Sequence, residues 1–267
     1  MLHKISSASN PLIKTLKALH AKKGRVETGL FLAEGARLAA EAAELGIWPD
    51  VMVVSEAALE RPQVRALLEA AAKHGVRCVE TNEATLAQIS KRDNPQTIIG
   101  AYRQHYAALE ALDPSFIIAL ESVRDPGNLG TILRTADSVG AGGVVLIGPS
   151  CDPFSVEAVR ASMGSIFAMK LARASLHELL QFKAERGAAL IGASLNGAPL
   201  AEGAPTPPRI VLLMGNEQSG LPAEMEKACD LLVCIPMRGR ADSLNLAIAT
   251  AVLSYDIWRR RSYAGAR

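Results

Sequence analysis

Aromatic residues make up only 4% of this 267-residue chain, and its four cysteines, at 78, 151, 229 and 234, stand far apart with no C-x-x-C pair. That spacing supports neither a disulfide frame nor a zinc site, and the five histidines, at 3, 20, 74, 105 and 177, include no H-x-x-x-H. No metal is expected, and all four thiols are expected in the core, where free cysteine usually lies. Nothing approaches the roughly 18 to 20 consecutive apolar residues of a membrane span. The start, Met1-Leu2-His3-Lys4, leads into polar Ser6-Ser7-Ala8-Ser9 instead of the apolar core of a signal peptide. The expectation is a cytoplasmic protein with no membrane partner. A formal net charge of +2 permits a polyanionic partner without implying one.

What is present is apolar content, 49% of the chain, enough for about two domains. Asn10-Pro11 looks like a cap followed by proline at the first helical position, and Leu12, Ile13, Leu16 and Leu19 then recur at helical spacing until Gly24. The other side of that helix holds Lys14, Lys17, Lys22 and Lys23, which with Lys4 and Arg25 precede the first acidic residue, Glu27. Such a run is also what an ordinary solvated face looks like. Short β-branched runs at 51–54, 76–79 and 97–101 alternate with helical stretches at 35–45, 62–74 and 83–89, and Gly46 and Gly75 close the first two helices. The pattern lapses around 106–114, which sets the expected boundary: a smaller α/β domain over 1–108 and a second domain over 109–267. The second half predicts strands at 116–120, 144–147, 189–193, 210–214 and 231–235 with helices between them. That is an α/β architecture with a mostly parallel sheet covered on both faces, closed by a helix beginning near Asn245.

In such a sheet, ligands sit beyond the carboxyl ends of the strands. Three post-strand segments are unusual. The first, Glu121 to Gly130, passes Asp125-Pro126-Gly127-Asn128 into a helix carrying Arg134 and Asp137. The second is Gly215-Asn216-Glu217-Gln218-Ser219-Gly220-Leu221-Pro222. The third, from Ile235-Pro236-Met237 to Ser243-Leu244-Asn245, holds Arg238 and Arg240. Each alone could be ordinary turn and cap chemistry. All three at the ends of strands should converge on one surface.

Asn128-Leu129-Gly130 with Arg134-Thr135-Ala136, then Gly215-Asn216-Glu217 with Gly220-Leu221, then Ile235-Pro236-Met237 with Gly239 and Ser243-Leu244-Asn245 resemble the three ordered motifs of SpoU (TrmH-like) RNA 2′-O-ribose methyltransferases of the SPOUT superfamily. The first half, through Phe31-Leu32-Ala33-Glu34-Gly35 and Asn94-Pro95-Gln96, resembles that family's substrate-binding domain. The one departure is Leu246-Ala247 after Asn245, where valine and serine are more usual.

The resemblance implies a C-terminal SPOUT domain with a deep trefoil knot, an N-terminal RNA-binding domain, S-adenosyl-L-methionine as cofactor and a homodimer. The dimer would cover the apolar surface of the last helix at Ala249, Val252 and Trp258, whose alternative is packing within the chain. The implied reaction is methylation of a ribose 2′-hydroxyl. Arg134 is the implied base or base-activator, although a guanidinium with pKa above about 12 serves equally well to hold a phosphate and stabilise the developing alkoxide. Asn128 would orient Arg134 or the ribose. Glu217 would accept hydrogen bonds from Arg134 or from loop amides, with Ser243 and Asn245 completing the polar shell. The cofactor would lie against Gly215, Ile235 and Leu244, glycine allowing close approach. RNA contacts would come from Lys14, Lys17, Lys22, Lys23, Arg25, Arg238 and Arg240, with Arg259 to Arg261 as further candidates. Ribosomal RNA is the expected substrate. The alternatives are transfer RNA and a non-catalytic RNA-binding assembly factor. Hydrolase chemistry is disfavoured, because neither Ser219 nor Ser243 stands in a G-x-S-x-G elbow.

Overall fold

The structure, a computed structural model, describes residues 2–199 and 206–266. Two compact units emerge: residues 1–104 with 152–168, and residues 105–151 with 169–267.

The first unit contains a mixed sheet of β1 (His3–Lys4), β2 (Leu30–Glu34), β3 (Val51–Ser55), β4 (Arg77–Thr81) and β5 (Ile98–Arg103), ordered β1-β4-β3-β5-β2. The pairs β1/β4 and β3/β4 are parallel, whereas β5 runs antiparallel to both β3 and β2. Around it lie α1 (Pro11–Ala18), α2 (Lys22–Thr28), α3 (Ala36–Glu44), α4 (Pro62–Lys73) and α5 (Glu83–Ser90). Asn10 caps α1 by accepting from the Leu12 amide at 2.9 Å, and Ile13, Leu16 and Leu19 bury against Val53, Val79 and Ile99. The helix stops at Ala18, not at Gly24 as the periodicity suggested. Gly24 lies inside α2, where a Cβ would come 2.3 Å from the Ala18 carbonyl oxygen, so it serves the contact between two short helices. Gly46 and Gly75, at φ +73° and +76°, do follow α3 and α4 as expected.

The second unit opens with β6 (Phe116–Glu121), α6 (Pro126–Ser138) and β7 (Gly143–Ile147). Residues 152–168, with α7 (Val156–Ser162) and α8 (Ser165–Ala168), pack into the first unit, and the chain then resumes the second. There follow β8 (Leu171–Ala174), α9 (Leu176–Arg186), β9 (Ala189–Pro199), β10 (Ile210–Met214), α10 (Ala223–Ala228), β11 (Leu231–Cys234) and α11 (Leu246–Arg260). The sheet order is β11-β9-β10-β6-β7-β8, every neighbouring pair parallel. The parallel, helix-covered sheet expected from the alternation is therefore present, with β8 as a strand the pattern missed. On one face Ile117, Val145, Val211 and Leu213 pack with Leu179 and Phe182 of α9. The alternate positions Ile118, Leu120 and Leu212 are equally buried, which is why these strands read as unbroken apolar runs.

Of the four cysteines, only Cys78 is a fully buried thiol. Cys151, Cys229 and Cys234 are half-buried, so the expectation of four core thiols is corrected. Burial, aided by Asp230, pushes the Cys229 thiol up to about 11.

Candidate active site

Because all six strands run the same way, the segments after β6, β10 and β11 leave the sheet at one edge. After β6 the chain passes Ser122 in the left-handed region at φ +46°, held there by its amide donating to the Ile147 carbonyl at 2.9 Å and its carbonyl accepting from Asn216 Nδ2 at 2.6 Å. Asp125 then caps α6, its carboxylate accepting from the Asn128 amide at 2.7 Å, with Pro126 in the first turn.

After β10 the chain folds back on itself, Asn216 and Gly220 exchanging both backbone hydrogen bonds at 3.0 Å. A Cβ on Gly215 would meet the carbonyl carbon of Gly220 at 2.2 Å. The chain's own turn thus requires glycine at 215, independently of the close approach to a cofactor that the resemblance implies.

Glu217 projects from this turn and gathers the first segment. Its carboxylate accepts from the backbone amides of Arg124 at 3.1 Å and Asp125 at 3.1 Å and from Asn128 Nδ2 at 3.2 Å. Partial burial opposes its charge, but these donors and its own amide prevail and hold it below the usual carboxylate range. Of the two partners expected for Glu217, the loop amides are the ones found. The Arg124 guanidinium bonds the side-chain oxygen of the neighbouring Gln218 at 3.0 Å.

The third segment closes the chain of contacts. Asn245 Nδ2 donates to Asn128 Oδ1 at 2.9 Å, while Asn245 Oδ1 caps α11 through the amides of Ala247 and Ile248. One polar line, Asn245 to Asn128 to Glu217, therefore joins the three motifs. Arg134, six residues beyond Asn128 on α6, is exposed, and among the described residues its guanidinium has no hydrogen-bond or ion-pair partner. Ser243 is likewise exposed.

Beside this line lies a cleft of about 600 Å³. Gly215, Ile235 and Leu244 all border it, together with Glu217 and Ser243; Asn128, Arg134 and Asn245 do not. Sequence reasoning overlooked the segment after residue 193 and the helix α10, which bring Ser194, Asn196 and Glu226 to the same cleft. Their signal was available, since 194–199 directly continues the strand expected at 189–193, but nothing in its composition marked it out.

Among the expected RNA-binding cations, Lys14, Lys22, Arg238 and Arg240 are exposed. Lys17 bonds Gln88 at 3.1 Å and Lys23 faces Glu27 at 3.8 Å, both at the surface. Arg25 is a correction. Only 4% exposed, it pairs with Asp152 at 2.8 Å and donates to the carbonyls of Leu19 and His20, so it holds the interior together and offers nothing to a ligand. The C-terminal arginines are also tied down: Arg259 and Arg260 to Asp256, and Arg261 to the carbonyls of Ser115, Pro207 and Pro208.

A doubly covered parallel sheet with three motif-bearing loops meeting beside a cleft places the chain among the SPOUT methyltransferases. It superposes with a TM-score of 0.89 and 40% identity on the crystal structure of an AdoMet-bound rRNA methyltransferase from Sinorhizobium meliloti, covering 97% of this chain and 98% of that one. With the SpoU methyltransferase AviRb from Streptomyces viridochromogenes the TM-score is 0.84 at 26% identity, covering 95% and 98%. The 23S rRNA (guanosine(2553)-2'-O)-methyltransferase RlmP of Bacillus subtilis (strain 168) is 33% identical over 96% of this chain and 99% of its own length. Residues 115–255 match the SpoU rRNA Methylase family and residues 10–100 match the MRM3-like substrate binding domain; the chain belongs to the SpoU family.

Proposed function

We propose that the protein methylates a ribose 2′-hydroxyl in ribosomal RNA, using S-adenosylmethionine held in the cleft bordered by Gly215, Ile235 and Leu244. The observation that carries this is the line Asn245–Asn128–Glu217, which draws the three motifs together beside a cleft of about 600 Å³. That volume suits a ligand of nucleoside size, and the lining combines apolar Ile235, Leu244 and Leu246 with the backbone of 215–221.

When bound, the cofactor supplies an electrophilic methyl group to the 2′-oxygen, the carbon–sulfur bond breaking with its electron pair left on sulfur. The residues do the rest. Glu217, ionised and satisfied by loop amides, fixes Arg124 to Asn128 in place. Asn128, held by Glu217 on one side and Asn245 on the other, has its amide orientation set. Arg134 is left with its whole guanidinium fork available. In this reading it grips the phosphate beside the target ribose and stabilises the alkoxide that forms as the 2′-proton leaves to solvent or to that phosphate.

Lys14, Lys22, Arg238 and Arg240 would supply the salt-sensitive phosphate contacts, with Lys17 and Lys23 contributing less because each already has a partner. The first unit serves as the RNA-binding domain. The trefoil knot expected from the resemblance, and a cytoplasmic location, belong to the same reading. No helix among the described residues is long and apolar enough to cross a membrane.

A homodimer is part of the proposal. Ile248, Val252 and Tyr255 of α11 are 54%, 43% and 43% exposed at spacings of four and three, one apolar stripe on a helix that packs against α6, the helix bearing Arg134. A second copy of the chain is the occupant that suits it. Trp258 is accounted for differently, since its indole donates to the Ala264 carbonyl and stacks edge-on with Tyr255 and Tyr263.

The test is transfer of radiolabelled methyl from S-adenosylmethionine to ribosomal and transfer RNA, with products mapped by resistance to alkaline cleavage. Label in an alkali-resistant dinucleotide of ribosomal RNA is expected. Label confined to transfer RNA would move the substrate assignment, and RNA binding without any label would leave a non-catalytic binding factor.

A further inference from the structure

The segment that sequence reasoning passed over carries a second polar group at the cleft. β9 pairs with β11 through Gly192↔Leu232, and the ladder then shifts register to Ala198↔Val233, so residues 193–197 swing out of the sheet. Gly197 makes this possible, since a Cβ there would lie 2.5 Å from the Val233 amide nitrogen. At the crest of the excursion the Ser194 hydroxyl donates to Glu226 Oε1 and accepts from the Asn196 amide at 3.1 Å, while Asn196 Nδ2 reaches the same carboxylate oxygen at 3.5 Å.

Glu226 and Glu217 border the same cleft but differ in how they are used. Glu217 is saturated by backbone and side-chain donors. Glu226 has donors on Oε1 only, and among the described residues Oε2 has none. A carboxylate fixed by a serine and an asparagine, with one oxygen free beside a cleft, is an acceptor set for a ligand that brings hydroxyl or amine donors.

We propose that Glu226, oriented by Ser194 and Asn196, accepts the 2′- and 3′-hydroxyls of the cofactor's ribose. This rests on the cleft being the cofactor site. The sheet order supplies the direction: the reacting edge belongs to the segments after β6 and β10, and β9 lies two strands from β6, roughly 10 Å at the usual strand spacing. With the sulfonium at the Glu217 and Arg134 edge, the nucleoside extends towards β9. Of its groups, the ribose diol offers two donors to one carboxylate, whereas the adenine edge mixes one amine with ring nitrogens that a carboxylate repels. An acidic side chain on a ribose hydroxyl is also how dinucleotide-binding folds hold theirs.

The experiment is calorimetric titration of the full chain with S-adenosylhomocysteine, its 2′,3′-dideoxy analogue and its N6-dimethyl analogue, on wild type, Glu226→Ala, Glu226→Gln and Leu244→Arg. For S-adenosylhomocysteine, Glu226→Ala is expected to weaken binding by about 10-fold or more, as for a charge-assisted hydrogen bond, with Glu226→Gln in between. Removing the diol should weaken wild-type binding by a similar factor and Glu226→Ala binding hardly at all. Additive losses, no loss in Glu226→Ala, or coupling to the N6-dimethyl group in place of the diol would each overturn the proposal. Leu244→Arg separates the two readings. If it leaves binding unchanged, the cleft is not the cofactor site and both fall; if it abolishes binding while Glu226→Ala is silent, only the ribose assignment falls.

Discussion

The two sheets of this protein are of similar size and use their edges differently. In the second unit all neighbouring strands are parallel, so every carboxyl end opens on one edge and segments from 121, 215 and 235 can meet there. In the first unit β5 runs against β3 and β2, which divides the strand ends between two edges. The cations singled out there, Lys14, Lys17, Lys22 and Lys23, lie on α1 and α2 and not on segments gathered at the strand ends. Strand direction, more than residue type, decides where a site can assemble.

Two arginines carry the same lesson at the scale of single residues. Both Arg25 and Arg134 stand in sequence contexts that suggest anion contact. Arg25 is enclosed by Asp152 and two carbonyls, whereas Arg134 is exposed and without a partner among the described residues. The sharpest way to break the comparison is to remove each. Arg134→Ala is expected to lower methyl transfer by on the order of 10²- to 10⁴-fold with little change in melting temperature, and Arg134→Lys to recover little because the planar fork is lost. Arg25→Ala should do the reverse: it leaves Asp152 without its buried partner and costs about 3 to 5 kcal/mol in urea unfolding, with transfer per folded molecule nearly unchanged. A folded, inactive Arg25→Ala would contradict the interior role given to that residue.

Glu217 sharpens the contrast through pH. Its carboxyl is held below the ordinary value of about 4.3, so its contribution is fully present above that value and disappears as pH falls through its lower folded-state value. The difference in melting temperature between wild type and Glu217→Gln should be flat from about pH 5 upward and shrink only in more acidic solution. A difference that already shrinks between about pH 7 and 5 would mean the loop amides do not hold the charge. The smallest effects belong to the first unit's surface: Lys14→Ala and Lys22→Ala should each reduce the salt slope of RNA binding by roughly one without altering which nucleotide is modified. Lys23→Ala, already facing Glu27, should do less.

Much of this is legible in the sequence. The alternation of buried apolar runs with capped helices specifies a doubly covered parallel sheet, and Asn10, Gly46, Gly75 and Asn245 stand at helix ends because caps and left-handed turns are local chemistry. The three motifs could be named from residue order alone. Short-range sequence does not contain the long-range pairings. Gly24 could not be told from a helix stop, because the Ala18 backbone that crowds it is visible only once α1 and α2 are folded together. Gly215 answers to its own turn at Gly220, Arg25 to an aspartate more than a hundred residues away, and Glu226 to a register shift between β9 and β11. Sequence by itself determined the elements and the chemical vocabulary of the site, since propensity and periodicity act over a few residues. Tertiary structure alone decided which charged groups are spent on one another and which remain free to act, because burial and partnership are set by chain segments that meet only in the fold.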